Sequence, residues 1–404
     1  MSESLAGRAA SEASVARPTW SVAGVRPGRT ERPTNTAEVA QIMRDAAAAG
    51  ESVIPTGAGT KLDWGNPPTS ADVLLDLSAL DGVREHAAGD LIATVGAGTP
   101  LSRLKEHVAT AGQRLALDET IAGATVGGTL AANTSGPLRM LAGTMRDLLI
   151  GVTIVRADGV VAKAGGKVVK NVAGYDVGKL LVGSMGTLAV VTEATFRLHP
   201  VPQTRRWVTV AARDASHAAE LARAVLHSQT VPAALEVDAT GDGIEVAVLV
   251  EGRPEGVAGR TAVLSGLLPG ATVDEEPPES WGRYPWADMS STHLGIKVTF
   301  RLSGLADVIE AAGELGLRGS AGAGVAYVAM PADQDLTEIQ ARLTRLREAA
   351  LRHGGSAVVL DAPTSVKPQL DLWGPVPGLE LMRRVKDEFD PDHRLSPGRF
   401  VGGI

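Results

Sequence analysis

The chain of 404 residues exceeds the size at which one hydrophobic core usually stops growing, so two or more domains are expected. Its net charge of −7 argues against a nucleic-acid surface, which needs clustered Lys and Arg. The absence of cysteine excludes disulfides, thiolate catalysis and any cysteine-held iron-sulfur centre within this chain. No apolar run reaches the roughly 18 residues of a transmembrane segment, and the start of the chain lacks the apolar region of a secretory signal. We therefore expect a cytoplasmic protein with an N-terminal tail over residues 1–32.

The first predicted elements form a β-α-β unit. A helix capped by Thr34 or Asn35 ends near Gly50 and is followed by a short strand at residues 53–54. A glycine-rich loop then leads to a second strand at residues 71–77. Such a unit usually buries its strands in a small parallel sheet.

Short strands separated by turns follow, at residues 91–95, 149–156, 160–164 and 188–198. The pair Asp158-Gly159 predicts a hairpin between the second and the third of these strands. Helices are predicted at residues 100–111, 125–133 and 177–181. This part of the chain is expected to be mainly antiparallel.

A proline-marked boundary at residues 199–206 precedes a second region. Its strand and helix patterns alternate, with strands at residues 233–240, 244–250, 296–302 and 324–330. The alternation predicts an antiparallel sheet with helices on one face. The chain is expected to close with a helix and an irregular tail.

The loop in VIPTGAGTKLDWG, residues 53–65, is the first functional signal. Lys61 stands in the wrong register for a P-loop, and Leu62 occupies the place of the third glycine of a dinucleotide fingerprint. Two interpretations stay open: a tight turn that needs positive φ, or backbone N–H groups that converge on a diphosphate. A second Gly-Ala-Gly-Thr, at residues 96–99, is interpreted as a structural turn without a ligand.

Three motifs in a fixed order carry a family resemblance. They are P-x-G-x-G-T at residues 55–60, A-T-V-G-G-x-x-A-x-N-x-x-G at residues 124–136 with Arg146-Asp147, and G-S-x-G-T-L at residues 183–188. In this order they resemble the FAD-binding domain of the vanillyl-alcohol oxidase superfamily, also called the PCMH type. With residues 167–200 and the closing FDPDHRLSPGRF, the chain is most similar to the branch that contains the smaller FAD-binding subunit of bacterial glycolate oxidase.

The resemblance implies an α+β fold. A PCMH-type FAD-binding domain of two α+β subdomains is expected over residues 33–202, and an α+β cap domain with an antiparallel sheet over residues 203–380. A C-terminal helix and tail, residues 381–404, are expected to pack back on the FAD domain.

The resemblance also implies non-covalent FAD, because no histidine lies in residues 53–65 for a covalent flavin link. The superfamily usually has Asn where this chain has Ser396, and often Glu where it has Met185. The residues that the resemblance assigns to the cofactor are Thr56, Gly57, Ala58, Gly59, Thr60, Asp118, Gly123, Ala124, Thr125, Gly127, Gly128, Asn133, Gly136, Arg146, Gly186, Thr187, Val190, Val191 and Arg399.

Oxidation of a 2-hydroxy acid by a flavin requires a cation or a metal for the carboxylate and a base for the hydroxyl proton. The His-rich metal site of the D-lactate dehydrogenase type is missing from this sequence, and no metal site is predicted. The catalytic candidates are His293, Lys297 and Arg301, which a period of two would place on one strand face. The alternative interpretation is a solvated strand face.

Three functional hypotheses follow. In the first, the chain is the FAD-binding subunit of a glycolate oxidase or glycolate dehydrogenase complex, an oxidoreductase acting on CH-OH groups. A larger FAD-binding subunit then oxidises the small 2-hydroxy acid, and electrons leave through an iron-sulfur subunit. In the second, the chain is a self-sufficient flavin-dependent dehydrogenase or oxidase. In the third, it is a scaffold subunit without a cofactor.

Overall fold

The computed structural model describes residues 20–167, 176–240, 243–287, 289 and 292–404. Residues 1–19 of the predicted tail and residues 168–175 of the segment that carries the resemblance lie outside this range. The helices are α1 (Thr36–Ala49), α2 (Leu101–Ala109), α3 (Val126–Ala132), α4 (Arg139–Ala142), α5 (Met145–Leu148), α6 (Gly178–Leu181), α7 (Ala215–His227), α8 (Pro254–Leu267), α9 (Leu305–Ala312), α10 (Leu336–Arg352) and α11 (Leu379–Phe389).

Strands and helices are interspersed along the described part of the chain, and the predicted α+β class is confirmed. They are β1 (Arg29–Glu31), β2 (Val53–Thr56), β3 (Val73–Asp76), β4 (Val83–Ala87), β5 (Ile92–Gly96), β6 (Gln113–Arg114), β7 (Leu149–Val155), β8 (Val161–Gly165), β9 (Val190–Arg197), β10 (His199–Pro200), β11 (Thr204–Ala212), β12 (Ala234–Ala239), β13 (Ile244–Gly252), β14 (Thr272–Asp274), β15 (His293–Thr299), β16 (Gly316–Ser320), β17 (Val325–Pro331) and β18 (Ser356–Asp361).

The first unit is the expected small parallel sheet, in the order β1-β3-β2. Helix α1 begins after Asn35, whose side chain accepts the N–H of Glu38, and ends at Gly50 in the left-handed conformation (φ 67°). Val39 and Met43 are fully buried on its inner face. Because β2 ends at Thr56, the glycine-rich loop begins at the carboxyl end of this sheet.

A five-stranded antiparallel sheet follows, in the order β4-β5-β9-β7-β8. The predicted hairpin joins β7 to β8, and Gly159 in its turn has φ 80°. Strand β4 is absent from the sequence prediction because it is an edge strand. Its residues Arg84, Glu85 and His86 give no alternation of buried and exposed side chains.

The largest sheet has eight antiparallel strands in the order β14-β11-β13-β12-β16-β17-β15-β18. Leu294, Ile296 and Val298 of β15 pack in one core with residues of helices α7 to α10. The opposite face of β15 carries Lys297, which lines a cavity against the first part of the chain. The proline-marked residues 199–206 include the short strand β10, which pairs with β6, and the start of β11 at Thr204. Proline is tolerated in so short a strand, as at a sheet edge.

The C-terminal segment returns to the first sheet, as expected. Val53 donates its N–H to Arg394 O at 2.8 Å and accepts the N–H of Ser396 at 2.9 Å. Within α11 and the turn after it, Lys386 Nζ contacts Asp390 Oδ2 at 2.6 Å, and both side chains are fully buried. The same ammonium donates to Thr187 O at 2.8 Å and to Leu395 O at 2.9 Å.

Two further observations limit the description of the fold. No helix in the described part of the chain is long and apolar enough to cross a membrane. The domain boundaries after residues 32, 202 and 380 stay a prediction, although the eight-stranded sheet does begin at Thr204.

We expect Lys386→Met to reduce the free energy of unfolding by about 3–5 kcal/mol, because it leaves a buried carboxylate without its partner. The matched control is Arg342→Met in α10, whose ion pair with Glu338 has the same i,i+4 spacing but is partly exposed. That change should cost about 0.5 kcal/mol or less. Urea unfolding measures both variants. Equal effects would contradict the structural role of the buried pair.

Candidate functional site

The main cleft lies where the loop after β2, the start of α3 and the segment before β9 meet. It encloses about 820 Å³ of empty space, part of it open to solvent. Its lining consists of Pro55, Thr56, Gly57, Ala58, Gly59, Thr60, Lys61, Leu62, Trp64, Leu77, Ala97, Thr125, Gly127, Gly128, Ala131, Ala132, Leu181, Ser184, Met185, Gly186, Ala189, Val191 and Arg399. Three distant parts of the sequence therefore build one concave site.

Close approach explains both glycines of the loop. A Cβ atom on Gly57 would lie 2.1 Å from Oγ1 of Thr125, the residue that caps α3 by accepting the N–H of Gly128. A Cβ atom on Gly59 would lie 2.3 Å from the ring of Trp20, and Gly59 also has φ 74°. The requirement for positive φ therefore holds for Gly59, whereas Gly57 is required by contact alone.

Unpaired donors line this part of the cleft. Among the described residues, no protein acceptor receives the backbone N–H groups of Gly57, Ala58, Gly59 or Thr60. Lys61 adds a cation, and burial lowers its pKa to about 8 against the opposing effect of Glu119. Converging N–H groups beside an ammonium are a suitable environment for the oxygens of a diphosphate.

The opposite wall comes from the segment before β9 and from the C-terminal tail. Gly186 has φ 73°, and a Cβ atom there would lie 2.8 Å from Pro55 Cγ. The guanidinium of Arg399 donates to Leu62 O at 2.8 Å and to Trp64 O at 2.7 Å. Burial lowers the pKa of Arg399 to about 10. The tail thus holds the far end of the loop in place.

The structure brings eleven of the sequence-predicted cofactor residues together in this cleft. They are Thr56, Gly57, Ala58, Gly59, Thr60, Thr125, Gly127, Gly128, Gly186, Val191 and Arg399. Lys61, Trp64 and Met185 line the same cleft but were absent from the predicted set. The position of Lys61 directly after the glycine-rich loop was the available signal for it.

The other predicted cofactor residues lie outside the main cleft. Three of them accept hydrogen bonds within the protein: Asp118 from the N–H of Leu138 at 2.8 Å, Ala124 O from the N–H of Leu101, and Thr187 O from Lys386 Nζ. Val190 packs in the core beside α1, and Gly123 is exposed. Arg146 is exposed on α5. Asn133 and Gly136 line two further cavities.

The second glycine-rich loop has a part in the cleft as well. Ala97 lines it, and Ala97 O accepts the N–H of Gly127 at 2.7 Å. This loop, interpreted as a structural turn with no ligand assigned, thus supports the start of α3 and also contributes Ala97 to the wall of the main cleft.

The lysine cavity, about 750 Å³ and open to solvent in part, adjoins the main cleft. It shares Trp64, Ala132 and Met185 with the cleft, and Lys297 of β15 lines its other side. The strand face that carries Lys297 therefore lines a cavity that is open to solvent in part.

The other two catalytic candidates lie elsewhere. The ring of His293 stacks on Trp286, with centroids 6.1 Å apart, and its Nε2 lies 3.9 Å from Asp361 Oδ2. The prediction that Arg301 shares the strand face is wrong. Strand β15 ends at Thr299, and Arg301 is exposed just before a short 3-10 helix. No cluster of three metal-ligating side chains occurs within the described residues.

The arginine cavity, about 510 Å³ with part open to solvent, lies between α4 and the eight-stranded sheet. Arg139, Glu236, Tyr284, Ser320 and Tyr327 are among its lining residues. Burial raises the pKa of Glu236 to about 8, although Ser320 and Arg139 favour the ionised form. Sequence reasoning missed this cavity because its residues come from seven separate segments.

Two family profiles match the chain. The profile of the FAD binding domain matches residues 27–165, and that of the C-terminal domain of FAD linked oxidases matches residues 321–400. FAD is therefore the cofactor that the sequence family indicates. The solved structure of an alkyldihydroxyacetonephosphate synthase has a TM-score of 0.68 at 16% identity, covering 92% of this chain and 77% of that one. At such low identity the likeness shows the fold alone.

Curated relatives match mainly over part of the chain. Glycolate oxidase subunit GlcD of Bacillus subtilis is 32% identical over 50% of this chain and 44% of its own length. Glycolate oxidase subunit GlcE of Escherichia coli is 36% identical over 36% of this chain and 42% of its own length. D-lactate dehydrogenase of Archaeoglobus fulgidus is 37% identical over 42% of this chain and 38% of its own length. The chain thus spans less than half the length of these relatives.

We expect Gly57→Ala to abolish FAD retention, because its Cβ atom would collide with Thr125 and displace the loop. Gly89→Ala is the matched control, since Gly89 has negative φ and its Cβ atom would meet nothing within 4 Å. The measurement is the ratio of flavin to protein absorbance after gel filtration. Full flavin occupancy in Gly57→Ala would contradict the assignment of this loop.

We expect the stability of the protein to depend on pH through Glu236. Its pKa is raised from 4.5 in the unfolded chain to about 8, so the folded state holds the proton more tightly. Its contribution is fully present below pH about 4.5 and is lost as pH rises to about 8. Urea unfolding at about pH 5 and about pH 9 should therefore show a smaller decrease for Glu236→Gln than for the unchanged protein. Equal decreases would contradict the buried, protonated state.

Proposed function

We propose that this chain, whose residues 27–165 and 321–400 match the FAD binding domain and the C-terminal domain of FAD linked oxidases, is the FAD-binding subunit of a 2-hydroxy acid dehydrogenase complex. The observation that carries the proposal is the main cleft with four backbone N–H groups that find no protein acceptor among the described residues. These groups belong to Gly57, Ala58, Gly59 and Thr60, and they would hold the diphosphate of FAD. The ammonium of Lys61 would add charge complementarity.

The residues present fit the cofactor in shape as well as in charge. Gly57 lets the loop approach Thr125 and Gly186 lets the segment before β9 approach Pro55, so the three walls of the cleft lie close together around the space for a ligand. Val191, Leu77 and Ala189 add apolar surface to the same cleft. When bound, FAD supplies the two-electron acceptor that oxidation of an alcohol carbon requires. The chain's own part is to bind and orient it and to limit access of water.

The partners belong to the proposal too. Two of the relatives are named as different subunits of glycolate oxidase. We place the oxidation of glycolate, or of another small 2-hydroxy acid, mainly in a larger FAD-binding subunit. Because this chain has no cysteine, an iron-sulfur centre for electron exit would be held by a third subunit. A cytoplasmic location, with any membrane contact made through partners, completes this hypothesis.

A second candidate function has one observation in its favour. Lys297 lines a cavity that shares three wall residues with the main cleft, so a carboxylate held there would lie beside the cofactor. In that case the chain would be a self-sufficient 2-hydroxy acid dehydrogenase, as the name D-lactate dehydrogenase suggests for the relative from Archaeoglobus fulgidus. The scaffold hypothesis without cofactor leaves the unpaired N–H groups of the cleft unexplained.

We expect the isolated, FAD-loaded chain to keep its flavin oxidised when D-lactate or glycolate is added without oxygen. The reason is that the oxidising site lies in a partner subunit, and co-purification should recover a larger FAD-binding chain and an iron-sulfur chain. Absorbance near the flavin maximum gives the measurement.

Rapid bleaching by either acid would contradict the subunit proposal and favour the self-sufficient enzyme. In that event Lys297→Gln should slow the bleaching about 10- to 100-fold, the loss of one charged hydrogen bond. Lys163→Gln on the exposed face of β8 is the matched control and should change nothing.

A further inference from the structure

The arginine cavity is separated from the main cleft by an aromatic contact. The ring of Tyr284, which lines the arginine cavity, packs edge-on against Trp64 of the main cleft with centroids 6.1 Å apart. Tyr284 and Tyr327 are also in contact, at 4.6 Å between centroids. These rings are among the most buried aromatics of the protein. The cavity is therefore a compartment of its own, and the proposed function makes no use of it.

Arg139 brings a cation into this compartment without an ion-pair partner. Its Nε donates to Gly136 O at 3.0 Å and its Nη2 donates to Tyr327 OH at 2.9 Å. Three of the five N–H donors of a guanidinium remain. No carboxylate of the described residues lies within ion-pairing distance of it. A half-buried cation in such surroundings is stabilised by an anion from outside.

Glu236 does not supply that anion. Its Oε1 atom is buried and has no hydrogen-bond partner among the described residues. Because burial raises its pKa to about 8, the side chain is mainly protonated near neutral pH and offers an O–H donor. A carboxylic acid with a free donor is complementary to a carboxylate ligand.

The other carboxyl groups in and beside the cavity are paired or have raised pKa values. Asp238 forms an ion pair with Arg318 at 3.0 Å, so the charges of these two side chains cancel. Burial and Asp238 both raise the pKa of Glu245. Burial also raises the pKa of Asp118, which lies near Arg139 and accepts the N–H of Leu138.

We propose that the arginine cavity is a second ligand site of this chain, and that it binds a small carboxylate through the guanidinium of Arg139. Glu236 and the hydroxyl of Ser320, which is 2% exposed, complete the polar lining. An empty space of about 510 Å³ suits a molecule of a few carbon atoms. The site is distinct from the lysine cavity, and its test does not depend on which subunit oxidises the substrate.

The experiment uses calorimetry on the FAD-loaded protein with 2-hydroxy-2-methylpropanoate, which has no α-hydrogen and is not oxidised. The matched probe is its neutral amide. We expect the carboxylate to bind and the amide to fail. Arg139→Gln should weaken carboxylate binding about 10- to 100-fold, whereas Arg139→Lys, which keeps the charge, should retain most of it. Lys297→Gln should leave this binding event in place.

Glu236→Gln provides a second test, because it keeps an N–H donor that does not ionise. Binding to the unchanged protein should weaken at about pH 9, while binding to this variant should not. The proposal is overturned if Arg139→Gln binds the carboxylate as tightly as the unchanged protein. It is also overturned if only Lys297→Gln loses binding, because the carboxylate would then bind in the lysine cavity. Loss of FAD from Arg139→Gln would overturn it as well, because the arginine cavity would then be part of the cofactor site.

Discussion

The structure depends on one close approach, between the backbone of Gly57 and the side chain of Thr125. The loop after β2 lies directly against Thr125, the cap of α3, so that no Cβ atom would fit at residue 57. This contact joins the small parallel sheet to the helix that packs on the five-stranded sheet. Residues of both elements line the cleft, and the same loop supplies the N–H groups that have no protein acceptor among the described residues.

Distant parts of the chain hold this arrangement. Arg399 bonds to the backbone of the loop from the tail, and Lys386 bonds to Thr187 and Leu395 from the last helix. The eight-stranded sheet covers the aromatic side of the cleft, with its apolar helix-facing residues on the other side. The face of β15 that carries Lys297 therefore forms part of the wall of the lysine cavity. The cofactor cleft and its two neighbouring cavities are consequences of one packing arrangement.

Local signals predicted a large part of this fold. Asn35 and Gly50 bounded α1, Asp158 and Gly159 marked a hairpin, and the order of the glycine-rich segments indicated the family. Elements without a hydrophobic pattern, such as the polar edge strand β4, gave no signal. The sequence carried a signal where backbone conformation matters, as at Gly59 with its positive φ. The site was missed where burial decides the chemistry, as at Lys61 and Glu236, because burial arises from residues far apart in sequence.

The most direct measurement is a crystal structure of the protein with FAD bound. We expect oxygens of the diphosphate within about 3.2 Å of the backbone nitrogens of residues 57–60, the range of an N–H···O hydrogen bond. The adenosine and the ring system would then extend along the walls that Val191 and Trp64 contribute to the cleft. A diphosphate bound elsewhere, with those N–H groups still unpaired, would contradict the assignment of this cleft to the cofactor.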